Sequence, residues 1–242
     1  MATVDVVIPV YNEEHVLAES VATLRQFLSK GFHHKWRILI ADNASTDSTL
    51  AVAQELAQKH ANVASLHIPQ KGRGRALKAS WLGSAADIVS YMDVDLSTDL
   101  TAFPLLIEAI ASEGYHIATG SRLSQASDIR RSLKREVLSR GYNVMIKALF
   151  FTRFSDAQCG FKALSRQAVR TLVPLVENND WFFDTELLIL AEKAGYPVKD
   201  IPVRWLEDPD TRVHIGKTVW QDIRGLARLR LRRPWRAVKV GP

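Results

Sequence analysis

The chain has 242 residues, 47% of them hydrophobic, with one cysteine, a formal charge of +6 and a pI near 9.5. This composition supports a sizeable core in one α/β domain, and the lone Cys159 excludes an internal disulfide and suits a reducing compartment. No apolar run approaches bilayer length, which excludes a spanning helix. The cations crowd Arg122 to Arg140 and Arg224 to Lys239, pointing to phosphate or an anionic surface.

The amino terminus enters a strand directly, with no basic n-region or apolar h-region, so no secretory leader is expected. Val4 to Val10 reads as a buried strand that ends near Pro9, which lacks a donor. Tyr11-Asn12-Glu13-Glu14 opens a helix to about Ser29, with Val16, Leu17, Val21, Leu24 and Leu28 as its apolar stripe. Trp36 to Ala41 is a second strand, ending at Asp42. Ser45, Thr46 or Asp47 is positioned to cap the helix that follows, through His60. Val63 to His67 is a third strand, after which Lys71-Gly72-Arg73-Gly74-Arg75 opens a helix to about Ser84. Ile88 to Met92 is a fourth strand, and a helix is expected from Leu100 to Glu113. Strands alternating with helices at this spacing imply right-handed βαβ units on a mostly parallel sheet. Beyond Arg122 the rhythm changes. Arg130 to Phe151 reads as a basic amphipathic helix, Ser155 to Lys162 as a connector, and Trp181 to Gly195 as an aromatic run leading into a helix. Val198 to Trp205 reads as a late strand and Gly216 to Arg233 as a basic helix.

The fourth strand ends in Asp93-Val94-Asp95-Leu96-Ser97. Alternate residues of an extended segment share a side. The two carboxylates therefore address one point, where hard oxygens suit Mg²⁺ or Mn²⁺. Ligands of open α/β sheets sit at the carboxyl ends of strands. The other strand ends bring Tyr11, Glu13, Asp42 and the Lys71 to Arg75 loop. An aromatic, carboxylates for hydroxyls or base edges, cations for phosphate and a metal pair are the groups a nucleotide diphosphate needs. The glycines let backbone approach phosphate, but neither a P-loop ending nor a dinucleotide fingerprint is present. Simpler roles stand beside these: Asp42 and Asp47 as a turn and a cap, Arg130, Arg131 and Arg135 as a solvated face, Asp184 and Glu186 as helix-start acids, and Trp181 to Phe183 as core.

Several stretches, in this order and spacing, carry a resemblance. They are Val7 to Glu14, Ala41 to Thr49, Lys71 to Gly74, Asp93 to Ser97, Gly120-Ser121-Arg122, Asp156 to Lys162 and Trp181 to Leu187. The chain resembles the inverting family 2 glycosyltransferases of GT-A fold, and among them the dolichyl- and polyprenyl-phosphate glucose and mannose synthases. The Asp156 to Lys162 and Trp181 to Leu187 stretches lean towards the glucose type. The resemblance implies a GT-A, Rossmann-like, mostly parallel sheet flanked by helices. The residues themselves add amphipathic basic helices in the C-terminal half, and the expected division is a catalytic domain over residues 1–215 and a basic amphipathic helix and tail over 216–242.

By the same resemblance, Pro9, Tyr11, Glu13 and Asp42 would hold base and ribose. Lys71 and Arg73 would lie near the diphosphate, with Val94 beside the donor. Asp93 would contact the donor, and Asp95 would bind the metal with Asp93 and Ser97 beside it. Arg122, Arg131 and Arg212 would be the phosphate-binding cations, and Asp184 a further catalytic residue. The expected reaction is metal-dependent, inverting transfer of a hexose to a polyprenyl phosphate. UDP-glucose is the first-choice donor and GDP-mannose the second. A phosphate monoester is largely dianionic at neutral pH and needs no base, whereas a saccharide hydroxyl would need Asp156, Asp184 or Glu186 as one. That second acceptor class, and a non-catalytic nucleotide-sugar or nucleic-acid binding module, are the alternatives. Nucleic acid is disfavoured, because the cations are not interleaved with stacking aromatics on a strand face. The two basic helices suit a membrane interface. The protein is therefore expected to be peripheral at the cytoplasmic face of a membrane, with room for a separate membrane-protein partner.

Overall fold

The computed structural model describes residues 1–124, 127–130, 133–206 and 215–238. The first half alternates as expected: β1 (Thr3–Val10), α1 (Leu17–Ser29), β2 (Lys35–Asn43), α2 (Thr49–Lys59), β3 (Val63–Ile68), α3 (Arg73–Leu82) and β4 (Ile88–Met92). The second half contains α4 (Phe103–Ala111), β5 (Ile117–Ser121), β6 (Asp128–Arg130), α5 (Leu133–Phe150) and β7 (Phe161–Ser165). It continues through α6 (Arg166–Leu172), α7 (Phe183–Lys193), β8 (Val198–Pro202), β9 (Arg204–Leu206) and α8 (Ile215–Arg232). Seven strands form one sheet in the order β3-β2-β1-β4-β7-β5-β8, while β6 and β9 pair in a small parallel sheet.

Alternation along the central strands divides the interior into two cores. Val6, Ile8, Ile38 and Ile40 face α1 and α4. Val7, Leu39, Val89 and Tyr91 face the layer built from α3, α5, α6 and α7. Both sheet faces are covered, so β1 reads as an almost unbroken apolar run. Pro9 is tolerated because β1 pairs with β4 only through Val7, and its missing donor falls past the last β4 contact.

Several expectations need correcting. Val16 lies outside α1 and is 40% exposed, so the apolar stripe begins at Leu17. The expected Leu100 to Glu113 helix is a 3₁₀ turn over Leu100–Ala102 followed by α4. The late strand breaks at Val203: β8 stays in the main sheet and β9 crosses to β6. Arg130 belongs to β6 rather than to the basic helix, and Phe151 ends that helix in the left-handed region at φ 53°. The connector ends inside β7, which runs antiparallel between β4 and β5. That strand was hidden by Lys162, a polar residue within an apolar run that is nonetheless buried. The cap position of α2 is Ser48, none of the three expected residues, and its side chain makes no cap bond; Asp47, one residue earlier, accepts from the Thr49 amide at 3.0 Å.

One face of α8 packs inward. Leu226 and Leu229 join the core with α7, and a Cβ at Gly225 would collide with the Phe182 ring. Asp222 is buried on the same helix, with Gln158 Nε2 at 3.2 Å and one carboxylate oxygen without a partner. Burial pushes its carboxyl up to about 6, against hydrogen bonds from Tyr142 and Gln158. An unfolded Asp titrates near 3.9. The protonated side chain therefore favours the fold below about pH 4, and that contribution is lost as pH rises through about 6. Asp222→Asn is expected to raise the thermal midpoint at pH 8, where the ionised carboxylate costs up to about 3 kcal/mol. The gain should vanish below about pH 4. Scanning calorimetry of both proteins across that range checks it, and an equal midpoint at pH 8 would refute it.

Candidate functional site

The carboxyl ends of β2, β1 and β4 are neighbours in the sheet, and each is followed by a non-glycine residue at positive φ: Ala44 at 67°, Asn12 at 56° and Leu96 at 49°. Strain of this kind costs of order 1–3 kcal/mol per residue and persists where surrounding contacts fix it. Here the fixing contacts join the β1 and β2 loops. The Asn12 amide donates to Ser45 Oγ at 3.0 Å, Asn12 Oδ1 accepts from the Thr46 amide at 2.8 Å, and the Glu13 amide donates to Thr49 Oγ1 at 2.8 Å. Asn43 extends the frame, donating to the Val10 carbonyl at 2.6 Å and accepting from the Gly72 amide at 3.0 Å. The glycine loop is thus tied to the end of β1.

Tyr11 and Lys71 meet at this frame, with Lys71 Nζ 3.5 Å from the Tyr11 ring centroid. Asp42 is buried and turned towards His67 Nδ1 at 2.7 Å and the Ser45 amide at 3.3 Å. Pro9 and Glu13 are half-buried beside it, and Val94 is buried behind the β4 loop.

Asp93 and Asp95 follow β4 directly, Asp93 partly exposed and Asp95 exposed. Asp95 Oδ1 accepts from the Ser97 amide at 3.1 Å. Ser97 in turn accepts from Leu206 of β9 at 3.0 Å, so the small sheet braces the acidic loop. Asp93 is fixed more firmly. Arg73 Nη2 donates to its Oδ1 at 2.8 Å, while Arg73 Nη1 donates to Asp184 Oδ2 at 2.5 Å. The guanidinium lies 4.9 Å from the Tyr91 ring and 5.0 Å from that of Trp181.

Behind Arg73, Asp184 also meets Lys162 Nζ at 3.1 Å and the Tyr91 hydroxyl. Burial alone would raise the Asp184 carboxyl, but Lys162 and Arg73 hold it below its ordinary value. Lys162 spends its other donors on the Cys159 carbonyl at 2.6 Å and the Ala157 carbonyl at 3.3 Å. One buried ammonium therefore ties the 157–159 loop to the Arg73–Asp93 pair. Gly160 lies against Asp93, and a Cβ there would overlap Oδ2. Gly160→Ala is expected to displace the Asp93 carboxylate and lower turnover about 100-fold, because displacements near 1 Å carry that penalty. The thermal midpoint should hold, since a flexible carboxylate yields; steady-state kinetics beside a melting curve test both halves.

Arg122 is committed elsewhere. Its Nε and Nη2 reach Asp156 at 2.7 and 3.1 Å, and its amide adds 3.1 Å to Asp156 Oδ2. Burial would raise the Asp156 carboxyl, but Arg122 holds it below the usual carboxylate range. In this geometry Arg122 latches β5 to the 156–159 loop rather than reaching outward. Arg131 and Arg212 lie outside the described residues. Glu186 is also spent, accepting from the Glu177 and Asn178 amides at 3.1 and 2.9 Å and pairing with Arg228 at 2.7 Å.

The sequence reading did not assign roles to Lys162, Gly160, Tyr91, Asn43 or His67. A lysine inside an apolar run was the available signal for the first. The others emerge only when β4, β7 and α7 are brought together. Cys159 is buried, its thiol pushed up to about 12 by burial, as expected of a packing residue.

The acidic loop fits a divalent cation. Its donors are hard carboxylate oxygens at an exposed strand end. Among the described residues no three His, Cys, Asp or Glu side chains form a closed cage. Mg²⁺-type sites commonly use one or two carboxylates and complete their shell with phosphate and water.

A family model described as Glycosyl transferase family 2 matches residues 5–173. Glycosyltransferase AglD of Haloferax volcanii is 36% identical over 237 residues, covering 96% of this chain and 37% of that protein. Dolichyl-phosphate beta-glucosyltransferase ALG5C of Trichomonas vaginalis is 30% identical over 87% of this chain and 66% of its own length. The dolichyl-phosphate beta-glucosyltransferase of Dictyostelium discoideum is 28% identical over 94% of this chain and 73% of its own length. The chain therefore spans a little over a third of AglD, and just under two thirds of ALG5C. Among solved structures, glucosyl-3-phosphoglycerate synthase from Mycobacterium tuberculosis with Mn²⁺, UDP-glucose and phosphoglyceric acid is 19% identical. It superposes with a TM-score of 0.72, covering 95% of this chain and 80% of that one. That likeness is one of fold, a mostly parallel GT-A sheet flanked by helices. With the family match spanning both the strand-end frame and the acidic loop, the chain belongs to glycosyl transferase family 2.

Proposed function

We propose that this protein transfers a hexose, with inversion, from a nucleotide diphosphate sugar to a polyprenyl phosphate. UDP-glucose is the first-choice donor and GDP-mannose the second. The observation that carries the choice of acceptor is the state of the carboxylates. A hydroxyl acceptor needs a carboxylate placed to take its proton. Asp156 is spent on Arg122, Asp184 on Arg73 and Lys162, and Glu186 on two amides and Arg228. A phosphate dianion needs no base, only cations to hold it. Relatives named dolichyl-phosphate beta-glucosyltransferases support the same reading.

In this scheme Tyr11 and the β1–β2 frame seat the base and ribose, and Lys71 meets the diphosphate. Arg73 holds Asp93 in place at the donor. Asp95, with Asp93 and Ser97 beside it, would hold Mg²⁺ or Mn²⁺, whose charge would offset that developing on the departing diphosphate. Arg131 and Arg212 are proposed as the acceptor-phosphate cations, while Arg122 is held by Asp156.

No described helix is long and apolar enough to cross a membrane. A peripheral placement on the cytoplasmic face, along α5 and the 216–242 segment, brings a lipid acceptor to the site. The test incubates the protein with a short polyprenyl phosphate, Mg²⁺ or Mn²⁺ and each labelled donor in turn. Label is expected in the organic phase from one donor. Metal-dependent nucleotide binding without lipid labelling, but with transfer to a saccharide, would replace the acceptor with a hydroxyl.

A further inference from the structure

We propose that a cationic cleft at the far end of α5 and α8 seats the phosphate headgroup of an anionic membrane phospholipid. This deepens the membrane placement above and rests on it. The cleft has a volume of about 290 Å³ and lies between the end of α5, the end of α7 and the 3₁₀ turn over Pro234–Ala237. Lys193, Arg230, Arg233 and Arg236 line it with Phe151 and Trp235, and among the described residues no carboxylate lines it. The adjacent Glu192 is turned away, accepting from the Arg153 and Phe154 amides at 2.7 and 3.0 Å. Four cations with no counter-charge among the described residues, around an aromatic floor, complement an anion with an apolar body.

Phe151 and Arg233, both lining this cleft, are the left-handed caps that end α5 and α8, their amides closing on the Lys147 and Leu229 carbonyls. Phe151 is 81% exposed, with Lys193 Nζ 6.0 Å from its ring centroid.

The occupant follows from what surrounds the cleft. Val137, Gly141, Val144, Ala148 and Phe151 are exposed at helical spacing along α5. Trp220, Ile223 and Leu231 are exposed along α8, which packs on α5. Apolar stripes flanked by arginines match a bilayer interface. The α5 stripe ends at the cleft, where Leu149, Phe150 and Phe151 line it. The cleft does not compete with the donor: α7 begins at the Arg73–Asp184 pair and ends at Lys193, an 11-residue span of about 16 Å.

The test is flotation of the whole protein with phosphatidylcholine vesicles, with and without phosphatidylglycerol. Binding is expected only with the anionic lipid. Arg230→Glu/Arg236→Glu, both surface positions, should weaken it at least ~30-fold. Lys30→Glu/Lys35→Glu, the same charge change near the amino ends of β1 and β2, should leave it intact. Phe151→Ser should weaken it severalfold without altering charge. Transfer to a detergent-dispersed short polyprenyl phosphate should be unchanged in all variants, which also shows that they fold. Equal loss in both charge-reversal pairs, wild-type binding by the Arg230/Arg236 pair or by Phe151→Ser, or equal binding to neutral vesicles would overturn the proposal. No donor or acceptor enters the flotation, so its outcome is independent of the transfer reaction.

Discussion

Asp95→Asn is expected to lower sugar transfer at least ~1000-fold, the scale of losing a charge that stabilises a departing diphosphate. Asp95 is exposed on the β4 loop, and among the described residues Arg73 is already bound by Asp93 and Asp184, and Arg122 by Asp156. The substitution keeps size and the bond from the Ser97 amide while removing the charge a divalent cation needs. Thermal stability should therefore hold within a few degrees, because surface changes stay within about 0.5 kcal/mol. Titrating Mn²⁺ against the variant in the presence of nucleotide diphosphate should show the affinity lost along with turnover. Wild-type turnover by Asp95→Asn would remove the acidic loop from the mechanism.

The second large effect concerns stability. Asp184→Ala is expected to cost about 3–5 kcal/mol, because it leaves Lys162 a buried cation without its carboxylate and Arg73 with Asp93 alone. Lys162 is fully buried and Asp184 nearly so, so water cannot substitute. The effect depends on pH with a definite sign. The Asp184 carboxyl sits below its ordinary value in the fold. Its contribution is complete above the unfolded value near 3.9 and is lost as pH falls through the depressed folded value. Urea unfolding of wild type and variant should differ most at neutral pH and converge in strong acid. Equal midpoints at pH 7 would mean that the pairs add nothing net. Asp184→Asn separates charge from shape: it should recover part of the stability through the Tyr91 bond but leave Lys162 unbalanced, while Arg73 keeps Asp93.

Much of this molecule was legible from local chemistry. Pro9 marked the end of β1 to within one residue, because a residue without a donor is tolerated only past the last β4 contact. Asp93 and Asp95 stood out because an apolar strand stopped in two acids one residue apart. The β–α alternation gave the parallel half of the sheet, since each strand needs a crossover to reach its neighbour. What stayed hidden has one physical cause, contact between segments remote in sequence. β7 was missed because Lys162 breaks its apolar pattern, and that lysine is acceptable there only because Asp184, about twenty residues on, neutralises it. Asp156, Asp184 and Glu186 were candidate bases on paper, and pairing partners from other elements turned them into struts. Arg122 read as an outward cation until Asp156 closed on it.

The sequence by itself determined the doubly covered sheet, the placement of the acidic loop at a strand end and the motifs of glycosyl transferase family 2. These depend on periodicity and on residue types within a few positions of one another. Only the tertiary structure decided which charges are spent and which remain. Neutralising a buried charge requires a partner within a few ångströms, and the chain supplies those partners by folding, from positions that no local pattern connects.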